Sequence, residues 1–298
     1  MEYHNPVLLK ETVDGLNIRP DGIYVDVTFG GGGHSREIMS RLGEGGKLFG
    51  FDQDLDALKN AIDDERFMLI NENFRFIKRF LRFHGIKQVD GILADLGVSS
   101  HQFDVAERGF STRFEAELDM RMNQKDEISA YNVINEYDEQ EISRVLFNYG
   151  ELKNARAMAN VIVLARQEAP IKNSEQLKQI LARFLPGHKS NKILAQIYQA
   201  IRIEVNQEMD VLKEFLEQSL EILKPGGRLS VISYHSLEDR LVKRFVKNGM
   251  FEGEPERDFF GNFEVPFKTI EKLIVPSDEE IALNNRARSA KLRVAEKK

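Results

Sequence analysis

The sequence contains no cysteine. A disulfide framework and a metal site with thiolate ligands are therefore excluded, and the composition fits the reducing cytoplasm in which we expect this protein to work. No pair of histidines at helical spacing stands near an acidic residue, so we expect no metal. Gly-x-Ser-x-Gly and Walker-type motifs are also absent, which argues against hydrolase and kinase chemistry.

Long apolar runs are missing as well. Residues Met1 to Lys10 carry no basic flank followed by an apolar core, and no later apolar run approaches the roughly 18 residues that a membrane span requires. We therefore expect a soluble, unexported protein without a membrane partner.

The chain also lacks an excess of positive charge, since its formal net charge is -6. Bulk attraction to nucleic acid is disfavoured because phosphate neutralisation needs clustered Lys and Arg, so any RNA site must be a local patch. One candidate patch comprises Arg286, Arg288, Lys291, Arg293, Lys297 and Lys298, with Glu296 as their acidic neighbour. Such a basic stretch can equally be a solvated tail.

The 298 residues suffice for two domains or for one domain with an insertion. Over about the first hundred residues, short apolar runs alternate with helix-period segments, which is typical of a parallel sheet covered on both faces. The predicted strands are Ile23 to Thr28, Lys47 to Asp52, Phe67 to Asn71 and Val89 to Ala94, and the predicted helices are Ser35 to Leu42, Leu55 to Asp63 and Phe74 to His84. Phe76, Phe80 and Phe83 repeat at helical spacing, so we expect them to face the core and not to form an aromatic platform for bases.

The alternation stops after Ala94, and a polar, helical segment of about a hundred residues follows. We therefore predict an inserted helical subdomain at 103–206 between two parts of the main domain, 1–102 and 207–298. The elements predicted beyond it are a helix from Gln207 to Leu223, a strand from Arg228 to Ser233, a loop from Asn248 to Phe267, and edge strands at Thr269 to Val275 and Lys291 to Ala295.

A glycine-rich turn follows the first predicted strand, from Asp26 to Ser35. Such a turn lets the backbone approach a nucleotide-like ligand at a helix N-terminus, although glycines also serve tight strand-helix turns. The dinucleotide fingerprint fits poorly, because Arg36 stands where a small residue is needed for close helix-strand contact. Asp26 would repel a pyrophosphate but attract an ammonium or a sulfonium group.

Polar side chains follow the other strands too. Asp52 could accept hydrogen bonds from both ribose hydroxyls of an adenosine cofactor, or it could cap the next helix with the help of Asp54. Ligands bind at this carboxyl edge in such sheets, which favours an adenosine site and leaves nicotinamide and methionine cofactors open. Asp95 to Gln102 adds an acid and an amide at the same edge. Ser233 to Arg240 adds His235, which could be a base, an RNA contact or a structural hydrogen-bond partner.

These loops lie within longer blocks that closely resemble the bacterial 16S ribosomal RNA cytosine N4-methyltransferase family known as RsmH or MraW. The blocks are His4 to Glu11, the glycine-rich stretch to Ser35, Asp95 to Gln102, Leu118 to Met122, Gln199 to Asn206, Ser233 to Arg240 and Arg286 to Arg293. Several long blocks in the same order are specific, whereas any single one would be weak. The sequence departs from the family pattern at Thr112, Glu117 and Asn285, which bears on loop rigidity and not on the cofactor site.

The resemblance implies an α/β fold, with a Rossmann-like class I S-adenosylmethionine methyltransferase sheet and an inserted all-helical subdomain that recognises RNA. It also implies methylation of N4 of the cytidine conventionally numbered 1402 in 16S ribosomal RNA of the small ribosomal subunit. The cofactor contacts carried over by motif are Gly32, Gly33, His34, Asp52, Phe74, Asp95 and Gln102. The candidate RNA contacts are Arg286, Arg288, Lys291 and Arg293.

Asp95 and His235 are the candidate catalytic residues. Asp95 could be a general base or a fixed positioning group. Because the N4 cation formed by attack releases its proton readily to water, we expect Asp95 to have an ordinary pKa near 4 and the rate to be flat from about pH 6.5 to 8.5. The Asp-Pro-Pro-Tyr loop of DNA amino-methyltransferases is absent, so the group that meets N4 stays open.

Three other functions compete with this interpretation. The enzyme could methylate another base or a small metabolite, with the helical insertion as a lid. The protein could also be a ribosome-assembly factor without catalysis, although such a factor need not keep Asp52, Asp95 and Gln102 together. A nicotinamide oxidoreductase is disfavoured by Arg36 and Asp26.

Overall fold

The computed structural model describes residues 6–255, 259 and 264–298. The chain divides into two compact units, a larger one formed by Met1–Gly97 with Met209–Lys298 and a smaller one formed by Val98–Glu208. The larger unit is thus interrupted in sequence by the smaller one. Among the described residues, no helix is both long enough and apolar enough to cross a membrane.

The larger unit is built on one sheet with the strand order β3-β2-β1-β4-β5-β7-β6. The strands are β1 (Ile23–Asp26), β2 (Lys47–Phe51), β3 (Phe67–Ile70), β4 (Val89–Asp95), β5 (Leu223–Ser233), β6 (Phe267–Thr269) and β7 (Lys291–Lys297). The first five strands are parallel, and β7 runs antiparallel to β5 and β6. This sheet confirms the predicted Rossmann-like α/β class, and the four strands predicted in the first hundred residues are present.

Helices alternate with the strands and also make up the smaller unit. They are α1 (Leu9–Gly15), α2 (Gly33–Arg41), α3 (Ile77–Phe83), α4 (Ser100–Asp104), α5 (Ala130–Asn135), α6 (Glu139–Asn148), α7 (Ala155–Glu168), α8 (Ser174–Ile180), α9 (Ser190–Val205), α10 (Glu208–Ile222), α11 (Ser236–Asn248) and α12 (Asp278–Leu283). The central strands are apolar on both faces because both faces of the sheet are covered. Val25 in β1 and Ile92 in β4 are accordingly fully buried.

The strand order reverses at β1, which lies between β2 and β4. In open α/β sheets, ligand-binding loops gather outside the carboxyl ends of the strands at this point. Asp26 ends β1 in register with Gly50 of β2 and Leu93 of β4. Asp52 directly follows β2, and Asp95 ends β4. Parallel pairing therefore brings three carboxylates to one edge of the sheet.

Two predictions for the segments after β2 and β3 are wrong. The segment predicted as a helix from Leu55 to Asp63 contains a 3₁₀ turn at Leu55–Asn60. Phe76 and Phe83 do not face the core, because they are 40% and 82% exposed, whereas Phe80 packs against the core with its ring centroid 6.4 Å from that of Phe51. Ile77 and Leu81 form the neighbouring stripe and are fully buried. Periodicity detects a stripe but does not decide which of two adjacent apolar stripes meets the sheet.

The C-terminal strands also differ from expectation. β7 is not an edge strand, since it lies between β5 and β6. Of the predicted strand Thr269 to Val275, only Thr269 belongs to β6, while Ile274 forms an isolated bridge with Leu292. Of the predicted loop from Asn248 to Phe267, residues 256–258 and 260–263 lie outside the described residues, and the described remainder between α11 and β6 contains no helix or strand.

Regular secondary structure in the smaller unit is helical, and the unit has an apolar core of its own. Ile142 and Val145 of α6 are buried in this core together with Ile197 of α9. Asn206, which follows α9, accepts a hydrogen bond from the amide of Met122 at 2.7 Å and donates one to the carbonyl of Met120 at 2.8 Å. The all-helical insertion is thus present. Its role in RNA recognition stays a prediction.

Candidate cofactor and active site

The glycine-rich turn between β1 and α2 uses backbone conformations that other residues rarely adopt. Gly30 and Gly32 have φ values of 50° and 75°. A Cβ on Gly33 would lie 2.2 Å from Cγ of Pro6, which is far inside van der Waals contact. Glycine at these positions therefore lets the chain turn sharply into α2. The N-terminus of α2 then carries partial positive charge that suits an anionic group, such as an amino-acid carboxylate.

Asp26 stabilises this turn through hydrogen bonds to two of its residues. Its side chain is 1% exposed and accepts hydrogen bonds from the Ser35 hydroxyl at 2.7 Å and from the Thr28 amide at 3.1 Å. Burial raises the pKa of Asp26, and the nearby His34 opposes that effect. Asp26 therefore shapes the turn and adds negative potential beneath it.

Asp52 joins the ends of β1 and β2. Its carboxylate accepts hydrogen bonds from the Gly30 amide at 2.7 Å and from the Asp54 amide at 2.8 Å. Burial raises the pKa of Asp52 to about 6, although these two hydrogen bonds favour the ionised form. The 3₁₀ turn that follows is capped by Asp54, which accepts from the Asp56 amide at 3.1 Å. The capping role considered for Asp52 thus belongs to Asp54, and Asp52 keeps oxygen lone pairs that ribose hydroxyls could use.

Asp95 lies at the centre of a small polar cluster. Its amide donates to the hydroxyl of Thr28 at 2.7 Å, and its Oδ1 accepts a hydrogen bond from the Tyr234 hydroxyl at 2.7 Å. Nδ1 of His34 lies 3.8 Å from Oδ2 of Asp95. The opposite ring nitrogen of His34 lies 3.1 Å from the Val7 carbonyl oxygen, and burial lowers the pKa of His34.

The pKa of Asp95 is not ordinary. Burial raises it to about 7, and the negative charge of Glu238 adds to this effect, while the Tyr234 hydrogen bond works in the opposite direction. The expected pKa near 4 is therefore wrong, because that value describes a solvated carboxyl group. This carboxyl group is 23% exposed and has no lysine or arginine partner within the described part of the chain.

Tyr234 is a functional candidate that the sequence did not single out. It directly follows β5, whose neighbour β4 ends at Asp95, so the two side chains meet across adjacent strand ends. Burial and the adjacent Asp95 charge raise the pKa of Tyr234 well above its usual value, which keeps the phenol protonated as a donor. The available signal was the motif position, since an Asp and a Tyr close two neighbouring parallel strands.

The carboxylates at this edge of the sheet suit S-adenosylmethionine as a ligand. Asp26, Asp52 and Asp95 all have raised pKa values, and none pairs with a lysine or arginine among the residues that the structure describes. A ligand that carries a sulfonium and an ammonium group would neutralise this potential, whereas a pyrophosphate would be repelled. Asp52 supplies acceptors for ribose hydroxyls, and the start of α2 suits a carboxylate.

Comparison with known proteins decides the family. The whole chain, residues 1–298, matches the MraW methylase family. The chain belongs to this family. Ribosomal RNA small subunit methyltransferase H of Flavobacterium johnsoniae is 79% identical over 297 residues, which cover 100% of this chain and 98% of that protein. The protein of the same name from Bacteroides thetaiotaomicron is 56% identical over 299 residues, which cover 100% of this chain and 98% of that protein.

Membership of the MraW methylase family confirms the predicted methyltransferase activity and its cofactor, S-adenosylmethionine. Among solved structures, an rRNA methylase from Streptococcus thermophilus covers 100% of this chain and 98% of its own, with 13% identity and a TM-score of 0.45. A likeness that weak supports no conclusion about function.

The remaining cofactor residues predicted for this MraW methylase have structural contacts of their own. Phe74 lies in a 3₁₀ turn, not in a helix, and packs edge to face on Phe215 with ring centroids 5.3 Å apart. Gln102 belongs to the smaller unit, where its side chain accepts from the Ser99 amide at 3.0 Å in a capping box at the start of α4. Contacts of Phe74 and Gln102 with the cofactor stay predictions.

His235 has a structural role in the methylase. It is the residue before α11, and its Nδ1 accepts from the amide of Glu238 at 3.4 Å in a capping box. Its Nε2 lies 3.1 Å from Oε1 of Glu238. These contacts support the interpretation of His235 as a structural hydrogen-bond partner, and its catalytic role stays a prediction.

The basic C-terminal stretch is part of the sheet and not a solvated tail. Lys291 and Arg293 lie on β7 and contact Asp239 of α11 at 3.3 Å and 2.7 Å. Lys297 donates to the carbonyls of Leu220 and Leu223. Arg286 and Arg288 lie in the 3₁₀ segment Asn285–Ser289, in which Arg288 is exposed. Two of the four predicted RNA contacts are therefore paired within the protein, and their role in RNA binding stays a prediction.

Proposed function

We propose that this MraW methylase transfers a methyl group from S-adenosylmethionine to N4 of a cytidine, conventionally numbered 1402, in 16S ribosomal RNA of the small ribosomal subunit. The relatives named ribosomal RNA small subunit methyltransferase H, which are 56% and 79% identical over almost their full lengths, support small-subunit ribosomal RNA as the substrate. The cytidine and its N4 are what the resemblance of the sequence blocks implies. We further propose that the protein acts in the cytoplasm, where small subunits are assembled.

The observation that carries the proposal is the hydrogen-bonded pair of Asp95 and Tyr234 at the carboxyl ends of β4 and β5. An exocyclic amine is a poor nucleophile because its lone pair is delocalised into the ring. An acceptor that holds one amine hydrogen turns the lone pair toward the methyl donor, and positioning of this kind supplies much of the rate of a transfer reaction. Asp95 is such an acceptor, and Tyr234 fixes the direction of its carboxylate.

S-adenosylmethionine, when bound, supplies a methyl group on a cationic sulfur, so that the carbon-sulfur bond breaks as the nitrogen-carbon bond forms. The amine nitrogen gains positive charge in this step and must then lose one proton. Asp95 can take that proton, because burial raises the pKa of its carboxyl group to about 7. Its negative charge also stabilises the positive charge that develops beside it. Asp52 would hold the ribose, and the glycine-rich turn would hold the amino-acid end of the cofactor.

Small ribosomal subunits from a strain that lacks the gene are the substrate for the test. We expect the protein and labelled S-adenosylmethionine to label 16S ribosomal RNA, and nucleoside digestion to give N4-methylcytidine. Asp95→Asn should slow single-turnover transfer by roughly 100-fold at saturating S-adenosylmethionine. Label in methyladenosine, or in a small metabolite of the extract, would reassign the substrate. Cofactor binding without any transfer would favour an assembly factor.

A further inference from the structure

Phe76 and Phe83 lie on an exposed surface of α3 and its flanking residues, together with cationic side chains. We call Phe76, Arg79, Arg82, Phe83 and Lys87 the α3 ridge. Phe83 is 82% exposed and Phe76 40% exposed, and the three cationic residues of the ridge are exposed as well. Two large aromatic side chains that are exposed on the same side of one helix form a patch, and exposed patches of this kind serve contacts with other molecules.

Helical spacing places the aromatic part of the ridge on one side of α3, which ends at Phe83, and Lys87 lies beyond that end. Phe76, Arg79 and Phe83 stand at positions i, i+3 and i+7 and therefore share a face. Ile77 and Leu81 are buried in the core of the larger unit and define the opposite face. The ridge thus points away from the sheet, and replacing its residues should not disturb the core.

The cationic residues of the ridge form no ion pair with acidic side chains among the described residues. The segment from Asn73 to Gln88 contains no acidic residue. Its other two basic residues, Arg75 and Lys78, pair with Glu214 and Glu221 of α10. Within the described part of the chain, the three cationic residues of the ridge form no ion pair. Two exposed aromatic side chains, with Arg75 over the ring of Phe76 and His84 beside that of Phe83, are therefore interleaved with positive charge.

We propose that the α3 ridge binds an unpaired RNA segment of the methylase's substrate, with bases stacked on the phenylalanine rings and phosphates held by the cationic residues. The proposal rests on the proposed function, because it takes RNA as the substrate. Stacking on aromatic side chains next to arginine is the way in which proteins hold single-stranded nucleic acid without reading its sequence. A chain of net charge -6 needs a local basic patch for this purpose. The C-terminal patch is partly neutralised by Asp239.

Three variants separate stacking from charge. Phe83→Leu keeps an apolar side chain but removes the aromatic face, and Phe83→Tyr keeps the face. In the double variant Arg79→Gln/Arg82→Gln, two phosphate contacts are removed. The matched charge control is Lys47→Gln/Lys268→Gln, which removes two exposed lysines located elsewhere on the larger unit.

The measurement is the dissociation constant for an unstructured oligoribonucleotide and for undermethylated small subunits, over a range of salt concentrations. We expect Phe83→Leu to weaken RNA binding by about 5-fold or more and Phe83→Tyr to retain it. The double arginine variant should lower the slope of log affinity against log salt by about 1.4, or roughly 0.7 for each phosphate contact of a single strand. S-adenosylmethionine affinity and melting temperature should stay at the wild-type values in every variant.

The outcomes distinguish this proposal from the proposed function. If the wild type methylates 16S ribosomal RNA and all ridge variants keep its RNA affinity, salt slope and KM for subunits, the ridge proposal is wrong and the function stands. If the wild type methylates no RNA but binds the oligoribonucleotide, and Phe83→Leu loses that binding, the ridge proposal stands and the proposed function is wrong. Wild-type protein that binds no RNA at all overturns the ridge proposal. So does a dimer that dissociates in Phe83→Leu with unchanged RNA affinity, because the ridge would then bind a second copy of the chain.

Discussion

Removal of the Tyr234 hydroxyl tests whether Asp95 acts as an ionised acceptor. Tyr234→Phe deletes the hydrogen bond to Oδ1 of Asp95, which is 2.7 Å long, and leaves the ring in place. That hydrogen bond lowers the pKa of Asp95, whereas burial and the negative charge of Glu238 raise it. Without it, the pKa of Asp95 rises further above its present value of about 7.

The size of the effect follows from the strength of the lost hydrogen bond. A hydrogen bond to an ionised group contributes about 1.5 to 3 kcal/mol, and about 1.36 kcal/mol corresponds to one pKa unit, so the titration of Asp95 moves upward by about one to two pH units. At pH 7 the ionised fraction falls from about one half to between about a tenth and a hundredth, which lowers the rate by about 5- to 50-fold. At pH 9 the deficit shrinks to about twofold or less.

The assay is kcat/KM for S-adenosylmethionine from about pH 5.5 to 9.5 with undermethylated small subunits, because kcat/KM reports ionisations of the free enzyme. We expect the wild-type rate to rise through about pH 7, in place of the flat profile that an ordinary carboxylate predicts. Tyr24→Phe is the control, since Tyr24 also has a buried phenol, and its hydroxyl accepts from the Arg19 amide at 2.8 Å. Superimposable profiles for the wild type and Tyr234→Phe, after scaling, would refute the reasoning.

Three further predictions concern the cofactor site and the insertion. Asp52→Asn should weaken S-adenosylmethionine binding by about 10- to 100-fold, because a hydrogen bond to a charged group is lost; calorimetric titration with unchanged affinity in the folded variant would contradict the assignment. Asp95→Asn should stabilise the ligand-free protein at pH 8 by about 1 to 3 kcal/mol in urea unfolding, since the raised pKa of Asp95 means that its contribution to stability decreases as pH rises from about 4 to 7. No gain at pH 8, or a gain equally large at pH 4, would argue against a buried charge. Replacing 103–206 by a short linker should preserve cofactor binding and abolish RNA methylation; transfer at the parental rate would show that the insertion does not position RNA.

The sheet and its carboxyl edge could be predicted because both follow from local rules. Buried parallel strands are short apolar runs, and β1, β2 and β4 each show one. The residue that ends or follows each strand then lies at the ligand-binding edge, whatever the rest of the chain does. Asp26, Asp52 and Asp95 therefore lie where the sequence predicts them.

The failures share a different cause, which is tertiary context. Nothing local decides which apolar side chains of α3 meet the sheet, and Phe80 does so while Phe76 and Phe83 do not. The raised pKa of Asp95 depends on burial and on Tyr234, a residue far away in the sequence. Lys291 and Arg293 looked like a free basic patch because their partner Asp239 is brought to them only by the pairing of β7 with β5.

The position of β5 in the sheet has a consequence for how the chain folds. β4 pairs directly with β5, although the whole smaller unit separates them in sequence. During synthesis, β3, β2, β1 and β4 can assemble early, but β4 then exposes an open hydrogen-bonding edge until the insertion and α10 have been made. Closing so long a loop slows folding, and an unpaired apolar edge attracts other chains. We therefore expect the helical unit to fold before β5 pairs with β4, which shortens the effective loop. Variants that destabilise the helical unit should aggregate during expression even though their cofactor residues are intact.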